Sequence, residues 1–278
     1  MDKFYKALTG LWQIIKNPWL LNHVLDEEGT WRKKVVRRHG FATGLPLLEL
    51  THLFPGFSET VSPFSFLDGG CIPTDLALLR GLARKYQVDD YLEIGTWRGE
   101  SVANLAPLVK QAVTVNLPDA EMRAMGMDED YIASHRFFSR GIDNVHHVQA
   151  NSLTFDFTTL DRQFGLIFVD GDHHYEAVRS DSTRVLQVLK PGGIIVWHDY
   201  ARNPEQVRWS VLAGILDGLP KELHSHLYHV SNTMCAVLLP ELPEGVQPGI
   251  LKANALPVKG FEVRVREGSG RTRNFSHS

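Results

Sequence analysis

Cysteine is scarce in this chain, and its absence removes whole classes of protein. Only Cys71 and Cys235 are present, and neither belongs to a C-x-x-C pair. A disulfide framework and a cysteine-built zinc site are therefore excluded, and a reducing, cytoplasmic location is expected. Long apolar runs are also missing. None approaches the roughly 18 residues a membrane span needs. The N-terminus lacks an uninterrupted apolar stretch with a small-residue cleavage site, so no signal peptide is predicted. Internal repeats and low-complexity blocks are absent too. What remains is ordinary for a globular protein of 278 residues, 43% apolar and 22% charged. That length is ample for a sizeable core.

Charge is distributed unevenly. Residues 1–40 carry eight Lys and Arg against four Asp and Glu, and residues 241–278 carry six against four, so the acidity sits between them. An acidic middle argues against a nucleic-acid groove, because phosphate binding needs clustered cations. The basic run Trp31–Arg38 reads as a solvated helix face, with an anionic partner as the alternative.

Residues 1–73 are predicted to form a helical and irregular N-terminal extension. Leu8, Leu11, Trp12 and Ile15, then Trp19, Leu20 and Val24, recur at helical spacing, broken at Asn17-Pro18. Such a stripe packs on its own domain or on a second subunit, which would make the chain a homo-oligomer through this extension; a membrane surface is the other reading. Residues 41–73, rich in Gly, Pro, Phe and Ser, are expected to be irregular covering segments.

A regular alternation begins near Pro73 and defines a domain over 74–240. Helical stripes at 74–87, 100–110, 175–189 and 206–218 alternate with strand candidates at 91–95, 112–117, 145–150, 165–170 and 193–200, and a terminal hairpin turns around Ser231-Asn232-Thr233. Strands alternating with helices predict an α/β doubly wound, mostly parallel sheet with one antiparallel strand at its edge. The tail 241–278 contains F-E-V-R-V-R, which alternates like a strand, and its last ten residues are expected to be disordered.

In such sheets ligands bind beyond the carboxyl ends of the strands. The first strand is followed by E-I-G-T-W-R-G-E-S, residues 93–101. Gly95 and Gly99 allow a tight turn and close approach. Trp97 stands where a dinucleotide fingerprint would have its second glycine, so the loop suits a nucleoside without a pyrophosphate. Glu93 can meet the ligand's amino group. The second strand ends at Asn116, with Asp119 three residues on, where a ribose is usually bound; Asn151 and Ser152 follow the third and can bond an adenine edge. Each of these has a plain reading as a loop turn. The densest polar cluster follows the fourth and fifth strands: Asp170, Asp172, His173 and His174, then His198, Asp199 and Tyr200. Gathering these ionisable groups is costly unless a cation or catalysis uses them. Asp170, Asp199 and His198 form a candidate oxygen-rich site for a divalent metal such as Mg2+.

The motifs L-E-I-G-T-W-R-G-E-S, F-V-D-G-D-H-H-Y-E-A-V-R-S-D and L-K-P-G-G-I-I-V-W-H-D-Y resemble class I S-adenosylmethionine-dependent methyltransferases over residues 74–239. The closer likeness is to a branch with D-G-D-H-x-Y-E and H-D-Y signatures that methylates hydroxyls of small molecules and sugars. The resemblance implies a seven-stranded Rossmann-like sheet in order 3-2-1-4-5-7-6. It implies S-adenosyl-L-methionine as cofactor, lined by Glu93, Gly95, Thr96, Gly99, Ser101, Asn116, Asn151, Ser152 and Asp170. It implies Mg2+ on Asp170, His198 and Asp199, although His departs from the acidic or amide residue expected there. Methyl transfer to a hydroxyl requires a base, and Asp172, His173 and His174 are the candidates. The expected partner is a small-molecule acceptor, with no nucleic acid. The rival readings are a metal-dependent hydrolase, for which no upstream ligand cluster is found, and a nucleoside-binding module with degenerate chemistry.

Overall fold

The computed structural model describes residues 3–18, 27–252 and 260–267. Apolar residues alternate between the two faces of each central strand, and that alternation builds the core. Strands β2 (Asp90–Ile94), β3 (Gln111–Asn116), β4 (Val145–Gln149), β5 (Phe164–Val169) and β6 (Leu189–Trp197) lie parallel. Strand β9 (Leu227–Val230) and strand β10 (Ala236–Leu238) form the expected hairpin, with β10 antiparallel to both β6 and β9. From one side the sheet reads β4-β3-β2-β5-β6-β10-β9. Numbered by appearance, these seven strands follow the predicted order 3-2-1-4-5-7-6.

An eighth strand, β1 (Leu47–Leu48), pairs parallel to β9 at the margin. It comes from the stretch expected to be irregular covering. Leu45, Leu48, Leu50 and Leu53 of that stretch are all buried. Its short helix α3 (Leu50–Leu53) continues into the same core. A two-residue strand carries no readable alternation, which is why the sequence pattern conceals it.

One face of the sheet carries Leu92, Ile94, Ile167, Val169, Ile195 and Trp197 against α8 (Tyr175–Val185) and α9 (Trp209–Gly218). The other face carries Tyr91, Leu166, Phe168, Ile194 and Val196 against α4 (Pro73–Lys85) and α5 (Glu100–Leu105). Each fully buried aliphatic side chain contributes about 1.5–3 kcal/mol. Helix α4 starts where Pro73 presets the first turn, and Asp75 reaches back to accept the Ile72 amide at 2.9 Å. The helix after His174 gives way to a 3-10 turn at Leu186–Val188, and β6 begins at Leu189, ahead of the Pro191-Gly192-Gly193 turn expected to precede it. Leu189 pairs with Phe164, and the register then shifts before Leu166 meets Ile194. The bulge accommodates the turn inside the strand.

Helix α2 (Glu27–His39) holds the basic run. It buries Val35, presents Lys33, Lys34 and Arg37 to solvent, and docks through Arg38 and His39 on Asp217 at 2.7 and 2.9 Å. The rest of the run thus lies on an exposed helix face. Residues 261–266, expected to be a strand, form none. The tail's exposed Val263 and Val265 have no apolar surface beneath them to fix a register. Trp19, Leu20 and Val24, and the last ten residues, lie outside the described residues. Among the described residues no helix is long and apolar enough to cross a membrane.

Candidate active site

The tips of β2, β5 and β6 converge, and the acidic and imidazole groups expected after them stand at one end of the sheet. Gly95 turns out of β2 with φ 85°, and a Cβ placed there would collide with the Asp170 carbonyl oxygen. Only glycine allows the two strand tips to approach this closely. Gly99 (φ 79°) opens α5 against Ser139. Between them Trp97 adopts φ 42°, a left-handed conformation rare for a bulky residue. Its ring packs on Tyr131 and His135, with centroids 4.5 and 4.9 Å away. The backbone carbonyls of Trp97 and Arg98 accept the amides of Arg136 and Phe138 at 2.7 and 2.8 Å, so the bend is held from outside.

Several residues expected around a nucleoside are already engaged. Glu93 is fully buried, and its Oε2 accepts the Tyr91 hydroxyl at 2.6 Å. Burial pushes its pKa up to about 8, against the hydrogen bonds from Tyr91 and Ser101. Asn116 Oδ1 accepts the Thr96 amide at 3.1 Å, bracing the bend from β3. Asp119 is clamped by Arg136 at 2.8 Å to both oxygens. Asn151 Oδ1 accepts the Leu153 amide at 3.0 Å, a local Asx turn. Ser152 lies beside Asp181, a buried carboxyl of α8 whose pKa burial raises to about 6. Thr96 Oγ1 and Asp181 Oδ1 are buried with no hydrogen-bond partner. Such orphans are costly in a closed protein and suit a polar ligand.

The centre of the second cluster is His198. Its Nε2 lies 3.0 Å from Asp75 Oδ2, and its Nδ1 lies 2.9 Å from Asp170 Oδ1 and 3.4 Å from Asp199 Oδ2. Neither Nδ1 approach has the direction of a hydrogen bond. Burial alone would lower the histidine pKa, but the surrounding carboxylates, Asp170 foremost, raise it well above 6.5. Asp199, at φ 55°, also faces Arg208 Nη1 at 3.2 Å and His173 Nδ1 at 3.8 Å. Burial opposes its ionisation, yet His198 and Arg208 hold its pKa down to about 2. His173 has its pKa lowered by burial, which outweighs Asp199. A narrow cleft with a volume of only about 10 Å3, room for a single water-sized group, runs between Asp170–His173 and His198–Asp199 and is lined by Val178, Trp197 and Val211. A larger hollow by Asp90, Arg162 and Lys190 lies at the opposite end of the strands, away from these groups.

Asp172 and His174 point elsewhere. They pair with each other, Asp172 also accepts the His174 amide at 2.9 Å, and their side chains are 59% and 82% exposed. Together they form the turn that leads into α8. Sequence reasoning singled out neither Asp75, Cys71 nor Arg208. Asp75 reads only as a helix-start residue, and Cys71, whose sulfur lies 4.0 Å from Asp170 Oδ2, carries no motif.

The sheet order and the glycine bend define a Rossmann-like α/β fold of the class I methyltransferase type. Residues 92–200 match the family described as Methyltransferase domain. A curated relative, Uncharacterized protein R132 of Acanthamoeba polyphaga mimivirus, is 29% identical over 143 residues, covering 48% of this chain and 60% of its own length. The chain thus spans less than two thirds of that relative's length. Among solved structures, the O-methyltransferase from Bacillus cereus in complex with SAH is similar with TM-score 0.43 and 15% identity, over 81% of this chain and 97% of that one. The SAH-bound methyltransferase PaMTH1 of Podospora anserina is similar with TM-score 0.44 and 16% identity, over 78% and 89%.

Proposed function

We propose that this chain is an S-adenosylmethionine-dependent O-methyltransferase acting on a hydroxyl of a small molecule or sugar. The observation that carries the reading is the meeting of His173, Asp170, His198 and Asp199 beside a bend that only glycine can make. The cofactor bed is assigned to Glu93, Gly95, Thr96, Gly99, Ser101 and Asp170, with Asn116 on the ribose side and Asn151 and Ser152 on the adenine side. The unpartnered Thr96 Oγ1 and the bare Gly95 fit such a ligand.

When bound, S-adenosylmethionine supplies an electrophilic methyl carbon. The chain has to aim an acceptor oxygen at it and take up the acceptor's proton. His173 is assigned that role. Its lowered pKa keeps it neutral near pH 7. Its Nδ1 faces Asp199, leaving Nε2 to receive the proton, and Asp199 stabilises the imidazolium that results. Asp172 and His174 shape the turn that presents His173. Asp170, His198 and Asp199 would hold a divalent cation, which would lower the pKa of a bound hydroxyl. His198 Nδ1 lies near both carboxylates, and the ligand atoms that gather within 4.8 Å of one another are those of Cys71, Asp170 and His198, so the thiol stands beside this site as a further donor. An imidazole in the set also suits metals softer than Mg2+.

The test is calorimetry and turnover on His173→Ala. The expected result is retained SAH binding with methyl transfer reduced by about 10^2–10^4-fold. A wild-type chain that binds metal tightly but no adenosyl ligand would return the cluster to a hydrolase.

A further inference from the structure

Helix α1 (Lys3–Lys16) buries none of its residues, although it carries an apolar stripe. Phe4, Tyr5, Leu8, Leu11, Trp12 and Ile15 are all exposed, from Leu8 at 52% to Phe4 at 71%. At about 100° per residue these six fall in one continuous arc. Lys3, Lys6, Thr9, Gln13 and Lys16 fill the opposite arc. The two ends of the helix, Lys3 and Lys16, flank the apolar arc on its two sides, and Lys16 lies over the Trp12 ring at 5.1 Å. No acidic residue interrupts the helix. The packing on its own domain expected from the spacing is not what the helix does.

We propose that α1 is an interfacial anchor that lies flat on an anionic lipid surface. Three features favour lipid over a second copy of the chain. The charge on α1 is of one sign, so an antiparallel pairing of two copies would bring lysines together without partners. Aromatic residues stand among the apolar ones, the composition that settles at headgroup depth. Lys3 and Lys16 flank the apolar arc, where long stems let their ammonium groups reach phosphates while the rest of the side chain covers apolar surface. Helix α2 adds the exposed cations Lys33, Lys34 and Arg37. An anchor of this kind would bring a soluble catalytic domain to acceptors that partition into or arise at membranes. The inference is independent of the reaction the site performs.

The experiment is sedimentation of the full chain with phosphatidylcholine vesicles, with and without about 30% phosphatidylserine. The expected result is pelleting with the anionic vesicles only, reversed by raising salt to about 0.5 M. Leu11→Glu with Ile15→Glu should weaken partitioning by more than about tenfold, and Lys3→Glu with Lys6→Glu should remove the preference for anionic lipid. Because α1 buries nothing, circular dichroism melts of both variants should match the wild type. A wild-type chain that stays in the supernatant with anionic vesicles overturns the proposal. So does a lipid-free dimer, seen by light scattering, that Leu11→Glu converts to monomer, since the face then belongs to a second copy.

Discussion

Asp75 Oδ2 and His198 Nε2 stand 3.0 Å apart, joining the first turn of α4 to the tip of β6 across 123 positions of sequence. The carboxylate fixes which nitrogen of His198 is committed to the protein and therefore which one, Nδ1, turns to Asp170 and Asp199. Asp75 also accepts the amides of Ile72 and Met234 at 2.9 and 2.8 Å, so it is fully satisfied and rigid. Outer partners of this kind typically govern ligand orientation and affinity by about 10–100-fold. Asp75→Asn is expected to lower turnover by that factor while leaving SAH affinity within about threefold, as steady-state kinetics beside calorimetry will show.

Chelation tests the cation directly. Prolonged dialysis against EDTA should reduce methyl transfer, and adding back Mg2+ or Mn2+ should restore it. Asp199→Asn should abolish the restoration. Unchanged activity after dialysis, with metal content verified by elemental analysis, would remove the cation from the proposed mechanism.

At Gly95 the backbone leaves no room for any side chain. Gly95→Ala should separate the tips of β2 and β5, destabilise the fold by more than about 3 kcal/mol in denaturant titrations and eliminate SAH binding. Wild-type stability in this variant would mean that the bend yields easily and is not a rigid bed.

Glu93 gives a pH-dependent signature. Its carboxyl is held protonated by burial, with a folded-state pKa of about 8 against an ordinary 4.5. A raised value means its contribution to stability is fully present below about pH 4.5 and is lost as pH climbs through about 8. Glu93→Gln imitates the neutral acid and can still accept the Tyr91 hydroxyl. Its melting temperature, measured without ligand, should therefore be close to wild type at about pH 5 and higher than wild type at about pH 9. Parallel curves for the two proteins across this range would contradict a buried, protonated Glu93.

Much of this architecture is legible in the chain itself. F-G-L-I-F-V and G-I-I-V-W are apolar throughout because both faces of β5 and β6 are covered, and each run ends in the polar residues that the sheet must carry to one end. The clustering of Asp170 with His198 and Asp199 follows from that alone. What escapes a linear reading depends on distant parts meeting. Asp75 looks like an ordinary cap until α4 is laid beside β6. Asp172 and His174 look reactive by type, yet two positions apart at a helix entrance they satisfy each other. Asp119 sits where a ribose would be sought, but Arg136 has already claimed both its oxygens. Leu47–Leu48 is too short to show any periodicity, and its pairing with β9 is fixed by the fold around it.

That short strand has a consequence for how the molecule meets its neighbours. The amide and carbonyl of Leu47 both bond to Gly249, at 2.9 and 2.7 Å, while Pro46 and Leu48 lend their carbonyls to the amides of His229 and Ser231. Tyr200, one residue beyond Asp199, accepts the Leu45 amide at 2.9 Å and ties this selvage to the catalytic end. The flank of the sheet is thereby spoken for, and no foreign strand can be grafted on at Leu47 without first evicting Gly249. Trimming the chain back to residues 74–239 would strip off this hem, bare the amides of His229 and Ser231, and trade a self-contained fold for one that seeks pairing partners.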